Sequence, residues 1–197
     1  MFSSKGKTAL VIALIILGAL LLAIGSDLCI SLVDKQIYPI KYEEIVEKYA
    51  SEYNIPEYVI YAVIKVESDF DPDATSSANA MGLMQMVPAT FTWLSSAEHL
   101  NENLSYLSVY DPEISIRYGT YYLRYLFEKF HNWDNVFAAY NGGEGRVAQW
   151  LEDPRYSDGR GNLTRIPIKE TRNYVKKVNS AIDHYKYNYY KKELSVK

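Results

Sequence analysis

A nearly unbroken apolar run stands at the amino end of the chain, over residues 8–25, and apolar character resumes as far as Val33. Such a run is long enough to span a bilayer as a helix. Lys5 and Lys7 precede it, which predicts that the amino terminus lies on the cytoplasmic side. Because no small-x-small cleavage site ends the run, the pattern favours an uncleaved anchor over residues 1–33, with a cleaved signal as the alternative. Either one places the remainder outside the cytoplasm.

Beyond the anchor, apolar positions recur at helical spacing, and turn residues separate the segments. The first of these stripes predicts a helix over residues 41–53. Asn54 is expected to cap the next helix, with Pro56 in its first turn, and Asp71-Pro72 to stop it. Further helices are predicted over residues 88–98, 112–130, 133–141 and 144–151 and from residue 169 onward.

No segment shows the alternation of a convincing strand, and the Ser-, Asn- and Gly-rich stretch at 69–87 predicts a loop. The pattern therefore predicts an all-α domain over residues 43–187, a short linker at 34–42 and a tail at 188–197. From Tyr185 onward, tyrosines and lysines alternate in a way that favours an exposed, frayed helix end.

Glu67 is the only carboxylate of the long apolar stretch that begins at Tyr58, and it lies in or near the last turn of the predicted helix. Burial disfavours the anion, and the negative end of the helix dipole repels it. Both effects raise the pKa of Glu67 and suit it to donate a proton. The alternative from this stretch alone is a surface glutamate that ends a core helix.

Composition excludes several kinds of site. The chain has 197 residues and a net charge of −3, and residues 34–197 carry 19 basic and 23 acidic side chains, so no nucleic-acid partner is predicted. Cys29 is the single cysteine, and the three histidines are widely scattered, so neither a disulfide nor a metal site is expected. Asp69-x-Asp71-x-Asp73 lacks the glycine and glutamate of a calcium loop. No cofactor is predicted.

Four segments together resemble the soluble lytic transglycosylase family of lysozyme-like enzymes, and the resemblance covers roughly residues 43–187. Their sequences are Glu67-Ser-Asp-Phe-Asp-Pro72, Ser76-Ser-Ala-Asn-Ala-Met-Gly-Leu-Met-Gln-Met-Val-Pro88, Ala139-Tyr-Asn-Gly-Gly-Glu-Gly-Arg-Val147 and Glu170-Thr-Arg-Asn-Tyr-Val175. The resemblance implies a helical, lysozyme-like domain behind the transmembrane helix, with a groove for the glycan strands of peptidoglycan. It also implies cleavage of the bond from N-acetylmuramic acid to N-acetylglucosamine, with a 1,6-anhydro ring on the muramyl product.

The resemblance also assigns roles to single residues. It places the catalytic acid at Glu67 and, at Ser76, a serine that hydrogen-bonds the acid and the substrate. It further implies that sugar-binding groups stand at Gln85, Tyr140, Asn141 and Glu170. The chain departs from the family at Asn79, where glycine is common, and at Val87, where methionine is common. Asparagine tolerates positive φ, so the turn is expected to survive, whereas a methionine contact in the groove is altered or lost.

Glycoside cleavage ordinarily uses two carboxylates, and the candidates for the second are Asp69, Asp71, Asp73 and Glu170. If the acetamido group of the substrate assists, one carboxyl group suffices, and Glu67 acts first as acid and then as base. One alternative is a goose-type muramidase that hydrolyses the same bond with water. Another is a glycan-binding scaffold without catalysis, tethered to the membrane in a secretion, conjugation or division assembly of the cell envelope.

Overall fold

A computed structural model describes residues 16–22, 25 and 32–190 of the chain. The chain divides into two compact units, Met1–Pro39 and Ile40–Lys197. In the first unit, residues 16–22 and 32–37 are helical. Most of the predicted membrane anchor lies outside the described residues, and among those that are described no helix is both long and apolar enough to cross a membrane.

The second unit is built from helices, as the pattern predicts. They are α1 (Glu43–Tyr53), α2 (Glu57–Ser68), α3 (Pro88–Leu94), α4 (Pro112–Phe130), α5 (Trp133–Gly142), α6 (Glu144–Glu152) and α7 (Lys169–Tyr189). A short 3-10 helix, Tyr106–Tyr110, precedes α4 and was not predicted. Within the described residues, β structure is limited to isolated bridges in two loops. The prediction of a predominantly helical fold is confirmed.

The helix boundaries follow from local capping chemistry. At the start of α4, the Asp111 carboxylate accepts hydrogen bonds from the amides of Glu113 and Ile114 at 2.8 and 3.2 Å. Pro112 occupies the first turn, where its missing N–H costs nothing. Between α5 and α6, Gly143 has a φ of 92°, a conformation that favours glycine. These features confirm the predicted start of α4 and the predicted end of α5.

Other boundaries differ from the predictions. Asn54, expected to cap α2, instead ends α1: its φ is 53° and its amide donates to the Ala50 carbonyl. Asparagine tolerates the left-handed region, which suits it to end a helix as well as to begin one. Pro56 then takes the cap position of α2. The third helix ends at Leu94 rather than at residue 98, because the Ser95 amide and hydroxyl both donate to the Phe91 carbonyl and close the last turn.

The packing of α2 against α7 forms the centre of the domain. Tyr61 of α2 and Tyr185 of α7 stack with ring centroids 5.5 Å apart, and both are almost fully buried. The prediction of a frayed end from Tyr185 is therefore wrong, because a partner on a distant helix covers this side chain. Just beyond the end of α7, the Tyr190 hydroxyl donates a hydrogen bond to Glu57, at the start of α2, at 2.7 Å. Residues 191–197 lie outside the described residues.

Candidate active site

The carboxyl end of α2 carries the site, and the loop at residues 69–87 folds back over it. The helix ends at Ser68, before Asp71-Pro72, because Asp69 adopts a left-handed conformation with a φ of 53°. The Ser68 hydroxyl donates to the Leu83 carbonyl at 2.8 Å and fixes the loop to the helix. Gly82 has a φ of 77°, and a Cβ there would collide with a backbone carbonyl of the 3-10 helix. The loop therefore depends on glycine at this position.

Glu67 stands in the last turn of α2 and is hydrogen-bonded to the far side of the domain. The Tyr174 hydroxyl of α7 donates to its Oε1 at 2.6 Å. Burial raises the pKa of Glu67 from 4.5 to about 7, and the bond from Tyr174 lowers it by a smaller amount. In the described part of the chain no other carboxylate contributes to this shift. Glu67 is thus a single carboxyl group whose pKa lies near neutral pH.

Tyr174 was not among the predicted site residues. The signal was present, because Tyr174 belongs to the Glu170-Thr-Arg-Asn-Tyr-Val175 segment. What the sequence lacked was the antiparallel register of α2 and α7, which brings together two residues 107 positions apart. Burial and the adjacent Glu67 charge raise the pKa of Tyr174 well above its usual value, so the hydroxyl keeps its proton.

Tyr140, at the end of α5, lies beside this pair. Its hydroxyl donates to the Met84 carbonyl at 2.8 Å, so it ties α5 to the loop over the site. Burial, and after it the charge of Glu67, raises the pKa of Tyr140 well above its usual value. The structure therefore places Tyr140 close enough to Glu67 for electrostatic influence, while the direct hydrogen bond to the acid comes from Tyr174.

Asn141 and Glu170 line one open cavity of about 270 Å³ next to Glu67. The other lining residues are Val66, Asn173, Tyr174 and Lys177. Two of the predicted sugar-binding residues are therefore brought together, and Tyr174 connects their cavity to the acid. The lining is mostly polar, which suits a ligand rich in hydroxyl and amide groups.

Ser76 and Gln85 occupy the loop, where their hydrogen bonds are internal. The Ser76 hydroxyl accepts from the amides of Ala78 and Ala80 at 3.3 and 3.0 Å. In the described residues it makes no hydrogen bond to Glu67, and its contact with the acid and the substrate stays a prediction. The Gln85 side-chain amide donates to the carbonyls of Ala74 and Gly82 at 3.1 and 3.0 Å. Both residues hold the shape of the loop.

The turn that departs from the family at Asn79 keeps its conformation, because Asn79 has a φ of 57°. That expectation is confirmed. Among the candidates for a second carboxylate, Asp69 is exposed and forms an ion pair with Lys65. Asp71 accepts a hydrogen bond from the amide of Asp73 at 3.0 Å. In the described part of the chain, no three His, Cys, Asp or Glu side chains are grouped to hold a metal ion.

The site as described can give and take one proton. Because the pKa of Glu67 is raised to about 7, its acid form is available near neutral pH, so it can act as general acid and, once ionised, as general base. The Tyr174 hydroxyl fixes its orientation. The polar cavity beside it can hold a sugar or peptide group.

Comparison with known proteins agrees with this geometry. The soluble lytic murein transglycosylase of Escherichia coli K12 is 35% identical over 153 residues, which cover 76% of this chain and 24% of that protein. The crystal structure of a 70 kDa soluble lytic transglycosylase from Escherichia coli matches with a TM-score of 0.71 at 34% identity and covers 78% of this chain and 25% of that chain. The helical domain therefore has the lysozyme-like fold of these transglycosylases.

Two further proteins are similar over a comparable share of the chain. The membrane-bound lytic murein transglycosylase C of Haemophilus ducreyi is 33% identical over 168 residues, which cover 74% of this chain and 45% of that protein. An inactive glutamate-to-glutamine mutant of the lytic transglycosylase Slt from Pseudomonas aeruginosa matches with a TM-score of 0.67 at 33% identity, covering 76% of this chain and 24% of that chain. The chain spans less than half of the length of each of these relatives.

The family model for the transglycosylase SLT domain matches residues 44–161, which is more than half of the chain. This range contains Glu67, the loop over it and Tyr140. The resemblance inferred from the four sequence segments is thereby confirmed. The chain belongs to the transglycosylase SLT domain family.

Proposed function

We propose that this chain is a peptidoglycan lytic transglycosylase. It cleaves the β-1,4 bond from N-acetylmuramic acid to N-acetylglucosamine and leaves a 1,6-anhydromuramyl end. The observation that carries the proposal is Glu67, a half-buried carboxyl group at the end of α2 that accepts a hydrogen bond from the Tyr174 hydroxyl at 2.6 Å. Desolvation raises the pKa of Glu67 to about 7, and no carboxylate of the described residues contributes to that shift. The related proteins are named lytic murein transglycosylases, which supports the same substrate and reaction.

In the first step, protonated Glu67 donates its proton to the glycosidic oxygen, and the bond from that oxygen to C1 of the muramyl residue breaks. The N-acetylglucosamine portion leaves with a new hydroxyl group. The acetamido group of the muramyl residue stabilises the positive charge that develops at C1, which is how a single-carboxyl mechanism replaces the usual nucleophile. The raised pKa of Glu67 makes the acid form available at neutral pH.

In the second step, Glu67 acts as a carboxylate. It removes the proton from the C6 hydroxyl of the same muramyl residue, and the C6 oxygen then attacks C1 and closes the 1,6-anhydro ring. The proton from the C6 hydroxyl returns Glu67 to its acid form, while the proton that Glu67 donated remains on the released hydroxyl group, so the cycle needs neither water nor a second carboxylate. This agrees with a site in which no other carboxylate of the described residues perturbs the acid.

The neighbouring side chains have positioning and binding roles in this proposal. Tyr174 orients the carboxyl group through its hydrogen bond, and Tyr140 fixes the loop that covers the acid. Asn141 and Glu170 offer hydrogen bonds to acetamido and hydroxyl groups of the sugar in the cavity. Ser76 and Gln85 hold the shape of the loop through their internal hydrogen bonds. The Gln85 side-chain oxygen can accept a hydrogen bond from an acetamido N–H of the glycan.

The proposal includes membrane attachment. Residues 1–33 act as a single-pass anchor, supported by the long apolar run and the lysines before it. The catalytic domain over residues 43–187 then lies on the extracytoplasmic side, where peptidoglycan is found. A relative named as membrane-bound is consistent with this arrangement. Partners in a cell-envelope or secretion assembly would meet the enzyme there.

Mass spectrometry of peptidoglycan digested with the purified protein tests the reaction. We expect anhydromuramyl ends. Reducing muramyl ends alone would identify a goose-type muramidase and overturn the proposal. If the peptidoglycan stays uncleaved after prolonged incubation while the protein still binds glycan, the protein is a scaffold without catalysis. Fractionation of cells that produce the full chain, compared with a chain that lacks residues 1–33, tests the anchor.

A further inference from the structure

A second aromatic cluster lies at the surface between α3 and α4, apart from the acid. It consists of Trp93, His99, Tyr121 and Tyr125, which we call the aromatic platform. The Trp93 ring lies 4.0 Å from the His99 ring and 4.7 Å from the Tyr125 ring, in edge-to-face arrangements. The His99 Nδ1 atom and the Tyr121 hydroxyl are 3.3 Å apart. All four side chains are half-buried, so each keeps part of its surface in contact with solvent.

The packing of α3 against α4 does not depend on the platform. Phe91, two residues before Trp93, stacks on Tyr118 of α4 with centroids 4.6 Å apart, and both rings are almost completely buried. Leu94 is fully buried as well. These side chains supply the apolar core between the two helices. The platform lies outside this core, and each of its four half-buried rings presents part of its surface to solvent, where a ligand can reach it.

A continuous series of rings joins the platform to the active site. Trp93 contacts Tyr122 with centroids 6.3 Å apart, and Tyr122 contacts Tyr140 at 5.3 Å. Tyr140 is in turn within electrostatic reach of Glu67. Two ring contacts, through the buried Tyr122, therefore separate Trp93 from a residue at the acid. The platform and the acid are close enough for two parts of one extended ligand.

The chemistry of the platform suits a pyranose ring. Such a ring presents C–H groups on its faces and hydroxyl or amide groups at its edge, so it packs on aromatic surface and hydrogen-bonds at the rim. At the platform, the rim groups are the hydroxyls of Tyr121 and Tyr125 and the His99 ring. Beyond Tyr125 lies the ion pair between Lys129 and Glu144, with Nζ and Oε2 2.9 Å apart.

We propose that the aromatic platform binds an N-acetylhexosamine ring of the glycan strand, at a site beyond the sugars that flank the cleaved bond. This inference rests on the proposed function for the identity of the ligand. It predicts that the protein prefers long glycan chains to short ones, because only a long chain can occupy the acid site and the platform together. Trp93 is the principal contact.

Binding of N-acetylglucosamine oligomers of increasing length tests the proposal. The measurement uses isothermal titration with the Glu67→Gln variant, so that no turnover occurs. We expect affinity to rise with length, and Trp93→Ala in the same background to weaken the longest oligomer about tenfold while the shortest binds unchanged. Trp93→Phe is expected to keep most of the gain, because it retains a ring. His99→Ala, at the edge, is expected to lose less than Trp93→Ala.

Trp133 provides a matched control. It is also a half-buried tryptophan packed on aromatic rings, with Phe127 at 4.6 Å and Phe137 at 5.4 Å, but it has no described ring contact to Tyr122 or Tyr140. Trp133→Ala is expected to leave the dependence on length intact. Equal weakening of short and long oligomers by Trp93→Ala, or the same loss in Trp133→Ala, would overturn the proposal. If Trp93→Ala does not fold, His99→Ala decides: a loss confined to the longest oligomers supports the platform, and no loss or an equal loss at all lengths overturns it.

The outcome separates the platform from the proposed function. Binding is measured without turnover, whereas the proposed function is tested by the products of the unmodified protein. If Trp93→Ala removes the dependence of affinity on oligomer length, the result supports the platform. If the same protein forms no anhydromuramyl ends, that result contradicts the transglycosylase reaction. Anhydromuramyl products together with binding that is independent of oligomer length support the reaction and contradict the platform.

Discussion

The two ends of the α2–α7 packing differ in a way that separates stability from chemistry. At one end, Tyr61 and Tyr185 stack with centroids 5.5 Å apart and are almost fully buried. At the other end, the same two helices bring together Glu67 and Tyr174, with an oxygen-to-oxygen distance of 2.6 Å. One end buries apolar surface and contributes to the stability of the domain. The other buries a carboxyl group, which opposes it.

Ionised Glu67 lowers the free energy of unfolding. The pKa of Glu67 is about 7, against 4.5 for an unperturbed glutamate, and this difference corresponds to about 3 kcal/mol when the group is ionised. A cost of that size is a large part of the net stability of a typical domain. The aromatic end of the helix pair, and the core around it, offset this cost. The reactive end therefore depends on the inert end of the same two helices for its stability.

Glu67→Gln is expected to have the largest effect on activity. The amide keeps the shape of the side chain but cannot donate and regain a proton, so we expect the release of soluble muropeptides to fall about a thousandfold. Glu57→Gln is the matched control, since Glu57 begins the same helix and accepts a hydrogen bond from Tyr190. The control is expected to keep nearly full activity. Comparable losses in both variants would contradict a special role of the reactive end.

The same substitution is expected to change stability in a pH-dependent way. The folded protein holds the Glu67 proton up to about pH 7, whereas the unfolded chain releases it near 4.5, so ionisation lowers the free energy of unfolding as pH rises through that window. Above the window, Glu67→Gln is expected to be more stable than the unmodified protein by up to about 3 kcal/mol. Below it, the two should be equal. Urea unfolding at several pH values measures the difference, and a constant difference would contradict the raised pKa.

The reactive end shows how far the sequence alone could lead. Glu67 could be singled out because a carboxylate in an apolar helix is visible in the local pattern, and the four segments assigned it a role. Its partner could not be found in the same way. The hydrogen bond from Tyr174 to Glu67 joins two residues 107 positions apart. It depends on the register of α2 against α7, which no local periodicity encodes.

The limits of local sequence patterns also explain why some predicted helix ends were wrong. Helices with strong caps, such as α4 after Asp111, were predicted at both ends because the capping groups are neighbours in the chain. Asn54 fits either end of a helix, so the local pattern could not assign it. Tyr185 appeared suited to an exposed end, and only the distant Tyr61 ring explains its burial.

Tyr174→Phe tests the hydrogen bond at the reactive end. The bond lowers the pKa of Glu67, so its loss is expected to raise that pKa and move the pH at which activity declines to a higher value. The acid also loses its fixed orientation, and we expect activity at neutral pH to fall about tenfold. A pH profile of muropeptide release measures both effects. A lower activity with an unchanged profile would point to a structural role of Tyr174 alone.

Tyr61→Phe, the same change at the inert end, is expected to have the smallest effect. The Tyr61 hydroxyl is buried and has no hydrogen-bond partner among the described residues, so its removal leaves no partner unsatisfied. Because a buried polar group without a partner costs free energy, we expect the variant to be more stable by about 1 kcal/mol, with the aromatic stacking preserved. Thermal and urea unfolding measure this gain. The activity and its pH profile should match those of the unmodified protein, because no proton of the reaction passes through this end of the helix pair.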